Sequence, residues 1–339
     1  MPEHIRVGKQ GHLFLTVGSN NVLRQYTKDG FNLDAQCQWR LLIAARARAL
    51  RRRGVTYRHM FVPEKLTIYD NLYIGPPVDV RYSPAAILYR HDPYYREHPL
   101  RLINVVRCLQ RRAQWRRTVV DLVGPMRRVR DATELYRRTD SHWTFAGCEL
   151  AYFELCRSLG VDPHRDFAQR EAHHFPDGSG DLGAACVPPR LESMTFISVQ
   201  KDSERFYANP LVDLHERMGT AHLLHLGAHV AYRNARPRDG RRLLLFGDSY
   251  AHFAPFMLTI MLAETFREVH FVWSTSLDWS LIDRIAPDIV VTEMAERFAV
   301  RLPDDRFDLD ACTRERCDAD PAAAARPLHQ NETFASTRA

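Results

Sequence analysis

The hydrophobic pattern of this chain changes repeatedly between two periods. Short apolar runs bounded by turn residues predict strands, and segments with apolar residues three and four apart predict helices. The predicted strands are 12–17, 55–62, 118–123, 222–234, 242–247, 269–273 and 288–292, and the predicted helices are 34–53, 99–112, 144–159, 253–267 and 281–285. This alternation is typical of an α/β protein with a mostly parallel central sheet.

Two parts of the chain depart from this alternation. Residues 161–224 have no regular period and include the turn-rich Asp177–Gly183, so they predict an irregular insertion or lid. Beyond Pro303 the sequence is polar and rich in Ala, and Pro321–Ala339 is predicted to be disordered. We therefore expect one domain over 1–303, with its insertion at about 161–224, followed by a partly disordered polar tail over 304–339.

One strand-to-helix junction carries a candidate nucleophile. The run Arg242–Phe246 is followed by Gly247, Asp248 and Ser249, and a helical pattern starts at Phe253. Strand, turn and helix would hold the Ser249 hydroxyl at the carboxyl end of a buried strand, above the free N–H groups of a helix amino terminus. This junction resembles the nucleophile elbow of hydrolases. Gly-Asp-Ser is also an ordinary turn, so the triplet alone leaves both interpretations open.

A serine hydroxyl becomes a nucleophile when a base removes its proton, and a carboxylate that orients the base improves it. Of the 16 histidines, His142 has the most suitable context, because residues two apart in an extended segment point the same way and Asp140 could orient its ring towards Ser249. Trp143 would shield this pair from water or stack on a sugar ring. In the alternative interpretation, Asp140 and Thr144 only cap a helix and His142 lies on the surface.

The composition narrows the choice of partner. The chain has 339 residues, of which 45% are apolar, and its net charge is +6. Nearly all of its positively charged side chains are Arg. A positive charge suits an acidic polysaccharide, nucleic acid or a membrane surface. Nucleic acid is not expected, because the clusters Arg111–Arg112 and Trp115–Arg117 come without a base-stacking or groove-reading motif.

The sequence also limits cofactors and compartment. Its seven cysteines form no Cys-x-x-Cys pair, so no zinc ribbon or thioredoxin-type motif is indicated, and no metal or cofactor is expected. No apolar run reaches the length of a membrane span, about 18 residues. Met1–Arg6 lacks the apolar stretch of a signal peptide. By sequence alone we expect a cytoplasmic protein without a transmembrane segment.

Three stretches, in chain order, resemble one known family. They are Thr139–Thr144, Ser179–Gly183 and Leu245–Tyr250, and they resemble the SGNH-hydrolase-like domain of the alginate O-acetyltransferases AlgX and AlgJ. Weaker similarities to the family's opening strand, first sheet loop, and closing strand and helix occur at Gly8–Leu15, Pro63–Tyr69 and Val290–Phe298. The resemblance covers about residues 8–300. It implies a three-layer, flavodoxin-like SGNH fold with a circularly permuted motif order, because ordinary SGNH hydrolases have the serine near the start and Asp-x-x-His near the end.

The resemblance implies a role for each residue of a triad. Ser249 would be the nucleophile, His142 the base and Asp140 the orienting acid, with an acetyl group carried on Ser249 and then transferred to a sugar hydroxyl. The Ser249 backbone N–H is the expected first oxyanion donor, and a loop glycine or Asn234 is considered for the second. Asp248 is expected to hold the turn rather than to serve as the triad acid.

Further residues are expected to line the cleft. Trp143, Tyr250, Glu293 and Arg297 are the predicted substrate-binding residues. For Glu293 and Arg297, a structural ion pair beneath the sheet is an equally supported alternative.

These observations predict an O-acetyltransferase that acetylates an exopolysaccharide or related glycan through a Ser-His-Asp triad and an acetyl-serine intermediate. The alternatives are a carbohydrate acetyl esterase with the same triad and a non-catalytic polysaccharide-binding protein. The resemblance implies two partners, a polysaccharide or oligosaccharide acceptor and a membrane-bound acyltransferase that supplies acetyl groups, and it implies a periplasmic location. Alginate itself is not assigned, because the short polar tail leaves no room for a carbohydrate-binding module.

Overall fold

The computed structural model describes residues 2–18, 20–90 and 113–319. The strands are β1 (Ile5–Val7), β2 (Leu13–Leu15), β3 (Thr56–Val62), β4 (Val119–Val120), β5 (Ala172–Gly178), β6 (Glu192–Ile197), β7 (Ser203–Ala208), β8 (His229–Asn234), β9 (Asp239–Gly247), β10 (Phe266–Trp273) and β11 (Ile289–Ala295). The helices are α1 (Leu33–Arg52), α2 (Lys65–Ile68), α3 (Pro84–Arg90), α4 (Val123–Val129), α5 (Phe145–Leu159), α6 (Asp181–Ala184), α7 (Pro210–Arg217), α8 (Leu258–Thr265), α9 (Trp279–Ile285) and α10 (Leu309–Asp318).

Seven of these strands form one central sheet in the order β4-β3-β11-β9-β10-β8-β7. The first five in this order are mutually parallel, and β8 runs antiparallel to both β10 and β7. The carboxyl ends of the five parallel strands therefore meet at one edge of the sheet. The predicted mostly parallel α/β sheet is confirmed.

Both faces of this sheet are covered, which is typical of parallel sheets. Successive side chains of β9 point to opposite faces, so Leu243 and Leu245 join the apolar cluster that contains α5 and α8. Leu244 and Phe246 join the cluster on the other face, with α1, α3 and α9. All four side chains are fully buried. The sheet is thus the middle of three layers, as the resemblance implies.

Local capping signals define the two longest helices among the described residues. The Asn32 side chain accepts a hydrogen bond from the Ala35 N–H at the start of α1. Thr144 accepts one from the Gly147 N–H at the start of α5, and Gly160 ends this helix in the left-handed region with φ 67°. Both helices are confirmed within a residue or two of their predicted bounds. The helix predicted over 99–112 lies outside the described residues.

Some elements differ from the prediction. The strand expected over 12–17 is the shorter β2, which pairs with β1 outside the central sheet. The expected loop Pro63–Tyr69 contains the single helical turn α2. Residues 161–224 contain the hairpin of β5 and β6, the sheet strand β7, and helices α6 and α7. In the tail, α10 packs against α7. No helix of the described residues has the length and apolar character to cross a membrane.

Candidate active site

Ser249 and His142 lie in hydrogen-bond contact at the carboxyl edge of the sheet, although 107 residues separate them in the chain. The Ser249 Oγ is 2.9 Å from His142 Nε2, and His142 Nδ1 is 2.8 Å from Asp140 Oδ1. A carboxylate can only accept, so Nδ1 carries the ring proton and Nε2 is left to accept from the Ser249 hydroxyl. His142 is only 4% exposed, so the alternative of a surface side chain is wrong.

The segment that holds this histidine is fixed at both of its ends. Tyr136 and Trp143 form a short antiparallel bridge, and Thr144 caps α5 directly after it. Inside the segment, the Asp140 carboxylate also accepts the backbone N–H of His142 at 2.9 Å. The carboxylate therefore holds the histidine through both its ring and its backbone.

A second carboxylate, that of Asp181 on α6, binds the segment between Asp140 and His142. It accepts the Ser141 backbone N–H at 2.6 Å and the Ser141 hydroxyl at 2.5 Å. The preceding residue has to be glycine, because a Cβ on Gly180 would lie 2.3 Å from the Asp140 Cβ. In the sequence, Ser179–Gly183 is marked only by its resemblance to the family, which implies no role for Asp181.

The charges around Asp140 are set by opposing effects. Burial acts to raise the pKa of Asp140, but the charge and hydrogen bonds of His142 outweigh it and hold this pKa well below its usual range. Burial, followed by the Asp140 carboxylate, raises the pKa of Asp181 to about 7. Asp140 is therefore ionised at neutral pH, and the second acid takes up protons near neutrality.

A buried lysine compensates this negative charge. Lys65 is 3% exposed, and its Nζ donates to the Leu13 carbonyl at 2.8 Å. Burial lowers the pKa of Lys65 to about 8, while Asp140 and Asp181 act in the opposite direction. In the sequence, Lys65 is marked only by its position just after a parallel strand and by its place in Pro63–Tyr69, the stretch that resembles the family's first sheet loop.

The turn that carries Ser249 is held by the carboxylate of Asp248. Its Oδ1 accepts the Tyr250 N–H at 3.0 Å, and its Oδ2 accepts the Ala295 N–H at 2.7 Å, which ties the turn to the end of β11. Asp140 is the carboxylate bonded to the His142 ring. This is the division of roles expected for the two acids.

The helix expected beneath Ser249 is displaced along the chain. Residues Ser249–Ala251 form one 3-10 turn, His252 is extended with φ −41° and ψ 154°, and α8 begins only at Leu258. The expectation of a helix amino terminus under the hydroxyl is therefore wrong. The sequence contains the reason why the helix begins later than expected. Pro255 disfavours helical geometry at Ala254, the residue before it.

The 3-10 turn leaves one N–H group available for an oxyanion. Tyr250 and Ala251 donate theirs to Asp248, whereas the Ser249 N–H donates to no group in the described part of the chain. Asn234 is wrong as a second donor. It ends β8, whose antiparallel direction places it at the opposite edge, and its Nδ2 donates to the Ala263 and Glu264 carbonyls.

The four predicted substrate-binding residues lie beneath the triad. Trp143, Tyr250, Glu293 and Arg297 are each at most 5% exposed. The Tyr250 hydroxyl donates to the Ser141 carbonyl at 2.6 Å, and Trp143 packs edge-on against the Tyr250 ring. Arg297 forms its ion pair with Glu64 at 3.3 Å. A substrate-binding role for these residues stays a prediction. The contacts of Tyr250 and Trp143 hold the segment that bears Asp140 and His142.

One group of side chains has the composition of a metal site. Among the described residues, only Asp140, His142 and Asp181 bring three metal-ligand atoms within 4.8 Å of one another. These atoms already have hydrogen-bond partners, because both His142 nitrogens contact triad members and both Asp181 oxygens accept from Ser141. We therefore assign these atoms to hydrogen bonding.

Comparison with known proteins identifies one family model and several solved structures that are similar to this chain. The family model described as SGNH hydrolase-like domain, acetyltransferase AlgX, matches residues 5–185. A search of curated proteins finds no match. A DHHW family protein from Eubacterium siraeum DSM 15702 has a TM-score of 0.54 at 14% identity, covering 88% of this chain and 96% of that one. The O-acetyltransferase domain of Pseudomonas putida AlgJ has a TM-score of 0.51 at 16% identity, covering 93% and 99%.

Bacillus cereus PatB1 is similar to the same extent, with a TM-score of 0.54 at 12% identity over 87% of this chain and 96% of that one. At such identities the solved structures support the fold alone. The match of the family model over more than half of the chain supports the family.

Proposed function

The chain belongs to the AlgX family of SGNH hydrolase-like acetyltransferase domains, and from this premise we propose that it O-acetylates hydroxyl groups of an exopolysaccharide or related glycan. The observation that carries the proposal is the hydrogen-bonded series Asp140, His142 and Ser249. This series supplies a carboxylate, a base and a nucleophile in the order that acyl transfer requires.

In the first half-reaction, Ser249 takes the acetyl group from a donor ester. His142 Nε2 removes the hydroxyl proton as Oγ attacks the acetyl carbonyl, and Asp140 stabilises the resulting imidazolium. The Ser249 N–H stabilises the tetrahedral oxyanion. The donor's C–O bond then breaks, its alkoxide leaves with the proton from His142, and acetyl-serine remains.

In the second half-reaction, a sugar hydroxyl attacks the acetyl-serine carbonyl while His142 removes its proton. The ester bond to Ser249 Oγ breaks, Oγ recovers the proton, and the sugar leaves as its acetate ester. We propose that a separate membrane-bound acyltransferase supplies the donor, as the resemblance implies.

Burial of the reacting groups favours transfer over hydrolysis. Ser249 is 2% exposed and His142 4% exposed, so bulk water has little access to the acetylated oxygen. If water attacked the acetyl-serine instead of a sugar hydroxyl, the same triad would act as a carbohydrate acetyl esterase. If the triad catalysed no reaction, the protein would only bind a polysaccharide.

The test is acetyl release from a chromogenic acetyl ester, measured with and without an oligosaccharide acceptor. We expect wild type to release the chromophore, the acceptor to be acetylated, and Ser249→Ala to be inactive, with the acetyl adduct on Ser249 visible by mass spectrometry of the intact protein. Free acetate as the sole product would favour the esterase. No release by wild type, or equal release by Ser249→Ala, would exclude both enzymes.

A further inference from the structure

A second imidazole lies close to the nucleophile, at the end of the same 3-10 turn. His252 follows this turn, and its backbone N–H donates to the Ser249 carbonyl at 3.4 Å. In a 3-10 turn the side chains of residues three apart lie above one another, and the side chains of a helical turn lean towards its amino end. The side chains of Ser249 and His252 are therefore on the same face of the turn.

The backbone that follows His252 sets its tautomer. The Ala254 N–H donates to His252 Nδ1 at 2.8 Å. A backbone N–H can only donate, so Nδ1 accepts this hydrogen bond and the ring proton is on Nε2. The side chain thus presents an N–H donor at the end of the ring that is farthest from its own backbone.

Aromatic neighbours hold the ring of His252 in place. It stacks on the Phe253 ring, with centres 4.4 Å apart and 14° between the planes, and Trp273 packs edge-on against it at 5.3 Å. Trp273 ends β10 and is paired with Gly247 of β9, so these contacts lie at the same carboxyl edge of the sheet as the triad. An orientation that is fixed before the reaction is what stabilisation of a developing charge requires.

The surroundings of His252 favour a neutral ring. Partial burial, followed by His225 and His142, lowers the pKa of His252 to about 3. At physiological pH the ring is therefore a neutral hydrogen-bond donor and a much weaker base than an ordinary histidine. The side chain is only half-buried, so a substrate bound at Ser249 can contact it.

We propose that His252 is a catalytic residue whose Nε2–H donates the second hydrogen bond to the acetyl oxyanion, with the Ser249 N–H as the first donor. In both half-reactions the carbonyl oxygen of the acetyl group becomes negative as the tetrahedral intermediate forms, and the carbonyl returns as the intermediate breaks down. His252 keeps its proton throughout, and His142 is the base. The inference rests on the proposed function and completes its oxyanion site.

Two substitutions of His252 separate this role from support of the turn. His252→Asn keeps an acceptor for the Ala254 N–H, because an Asn side chain accepts from the backbone two residues on, but its amide is too short to reach the position of Nε2. His252→Phe keeps a ring and loses both hydrogen-bonding atoms. The matched control is His225→Phe, because His225 also packs against Trp273, with ring centres 5.0 Å apart, but lies on a different segment from Ser249.

The first experiment measures kcat and KM for a chromogenic acetyl ester. We expect kcat to fall by about a hundredfold or more in both His252 variants with little change in KM, because an oxyanion donor acts in the transition state. His225→Phe should keep the wild-type kcat, and His252→Asn should keep the wild-type thermal transition. A His252→Asn variant with the kcat of wild type would overturn the inference. An equal loss in His225→Phe would also overturn it, because the packing of Trp273 would then explain the effect.

A spectroscopic experiment tests the contact itself. A fluorophosphonate reacts with Ser249 Oγ by loss of fluoride and places a phosphoryl oxygen where the oxyanion forms. In protein with isotope-labelled histidine, we expect the Nε2–H proton resonance of His252 to move downfield in this adduct. An unchanged resonance would overturn the inference, and a wild type that forms no adduct would overturn it together with the triad.

These measurements need no sugar, so they are independent of the acceptor. A wild type that turns over the ester but acetylates no oligosaccharide would contradict the proposed function, whereas the loss of kcat in His252→Asn and the downfield shift would still support His252 as the donor. Conversely, acetylation of an oligosaccharide at the wild-type rate by His252→Asn would support the proposed function and exclude this role of His252.

Discussion

Glu293 lies directly beneath the nucleophile turn, where its Oε2 accepts the backbone N–H of Asp248 at 3.1 Å. The side chain is fully buried, and a Cβ on Gly247 would lie 2.9 Å from the same oxygen. Burial, followed by the Asp248 carboxylate, raises the pKa of Glu293 well above its ordinary value of 4.5. This shift favours the neutral form of Glu293, and the side chain supports the backbone just before Ser249.

This relationship predicts different effects for two substitutions of Glu293. Glu293→Gln is uncharged, has nearly the same shape and keeps an acceptor for the Asp248 N–H, so kcat should stay within about threefold of wild type. Glu293→Ala leaves that N–H unpaired and opens a cavity, so kcat should fall by about tenfold or more with little change in KM. Steady-state kinetics on a chromogenic acetyl ester would measure both, with circular dichroism to check folding. A Gln variant as impaired as the Ala variant would contradict this role.

Asp140, the proposed orienting acid of the triad, gives the largest predicted loss of activity. Asp140→Asn can still occupy the same space, but it no longer fixes the Nδ1–H tautomer or stabilises the imidazolium, so we expect kcat to fall by about a thousandfold or more. Ester turnover measures this change, and an unaltered thermal transition would show that folding is retained. The control is Asp181→Asn, whose contacts reach Ser141 rather than the His142 ring, and whose loss should be at least an order of magnitude smaller. Similar losses in the two variants would argue against Asp140 as the orienting acid.

Asp181 also makes a prediction about stability and pH. Its pKa rises from an ordinary value of 3.8 to about 7 in the folded protein, because of burial and then of the Asp140 carboxylate. A raised folded pKa contributes stability that is fully present below the unfolded value and is lost as pH rises through the folded one. Between pH 3.8 and 7, the free energy of unfolding of wild type should therefore fall relative to that of Asp181→Asn, by up to about 1.4 kcal/mol per pH unit.

Denaturant unfolding of both proteins at several pH values between 4 and 8 would measure this difference. All other titrating groups are common to the two proteins, so the difference between the curves reports the titration of Asp181 together with its effect on the pKa of Lys65. Parallel curves across the window would show that Asp181 keeps its ordinary pKa in the folded state.

The sequence predicted the parts of this molecule that depend on neighbouring residues. The apolar run Arg242–Phe246 gave the central strand β9, and Thr144 and Gly160 marked the two ends of α5. Asp140 and His142 were identifiable because their spacing, next to a capped helix, fixes their mutual orientation. Each of these signals is contained within a few residues.

Features that depend on the whole fold were not predictable in this way. Lys65 and Asp181 come near Asp140 from distant segments of the chain. The stretches Pro63–Tyr69 and Ser179–Gly183 resemble the family, but the resemblance alone does not show that the charges of Lys65 and Asp181 act together with that of Asp140. The direction of β8 decides that Asn234 lies far from Ser249, and direction follows from strand pairing rather than composition. Pro255 is the exception, because its effect on the expected helix is local and can be read from the sequence.

The glycine of the Ser179–Gly183 motif offers the sharpest steric prediction. A Cβ on Gly180 would lie 2.3 Å from the Asp140 Cβ and 2.6 Å from its Cα, and the backbone there has no room to move without disturbing the triad. Gly180→Ala should therefore displace Asp140, reduce ester turnover by about tenfold or more, and destabilise the protein by about 1–3 kcal/mol. The matched control is Gly240→Ala at the exposed start of β9, where an added Cβ meets nothing within 4 Å. We expect this control to keep the wild-type turnover and unfolding midpoint. A Gly180→Ala protein with wild-type turnover would show that the segment bearing Asp140 adjusts freely, and the close packing of Gly180 would then have no catalytic consequence.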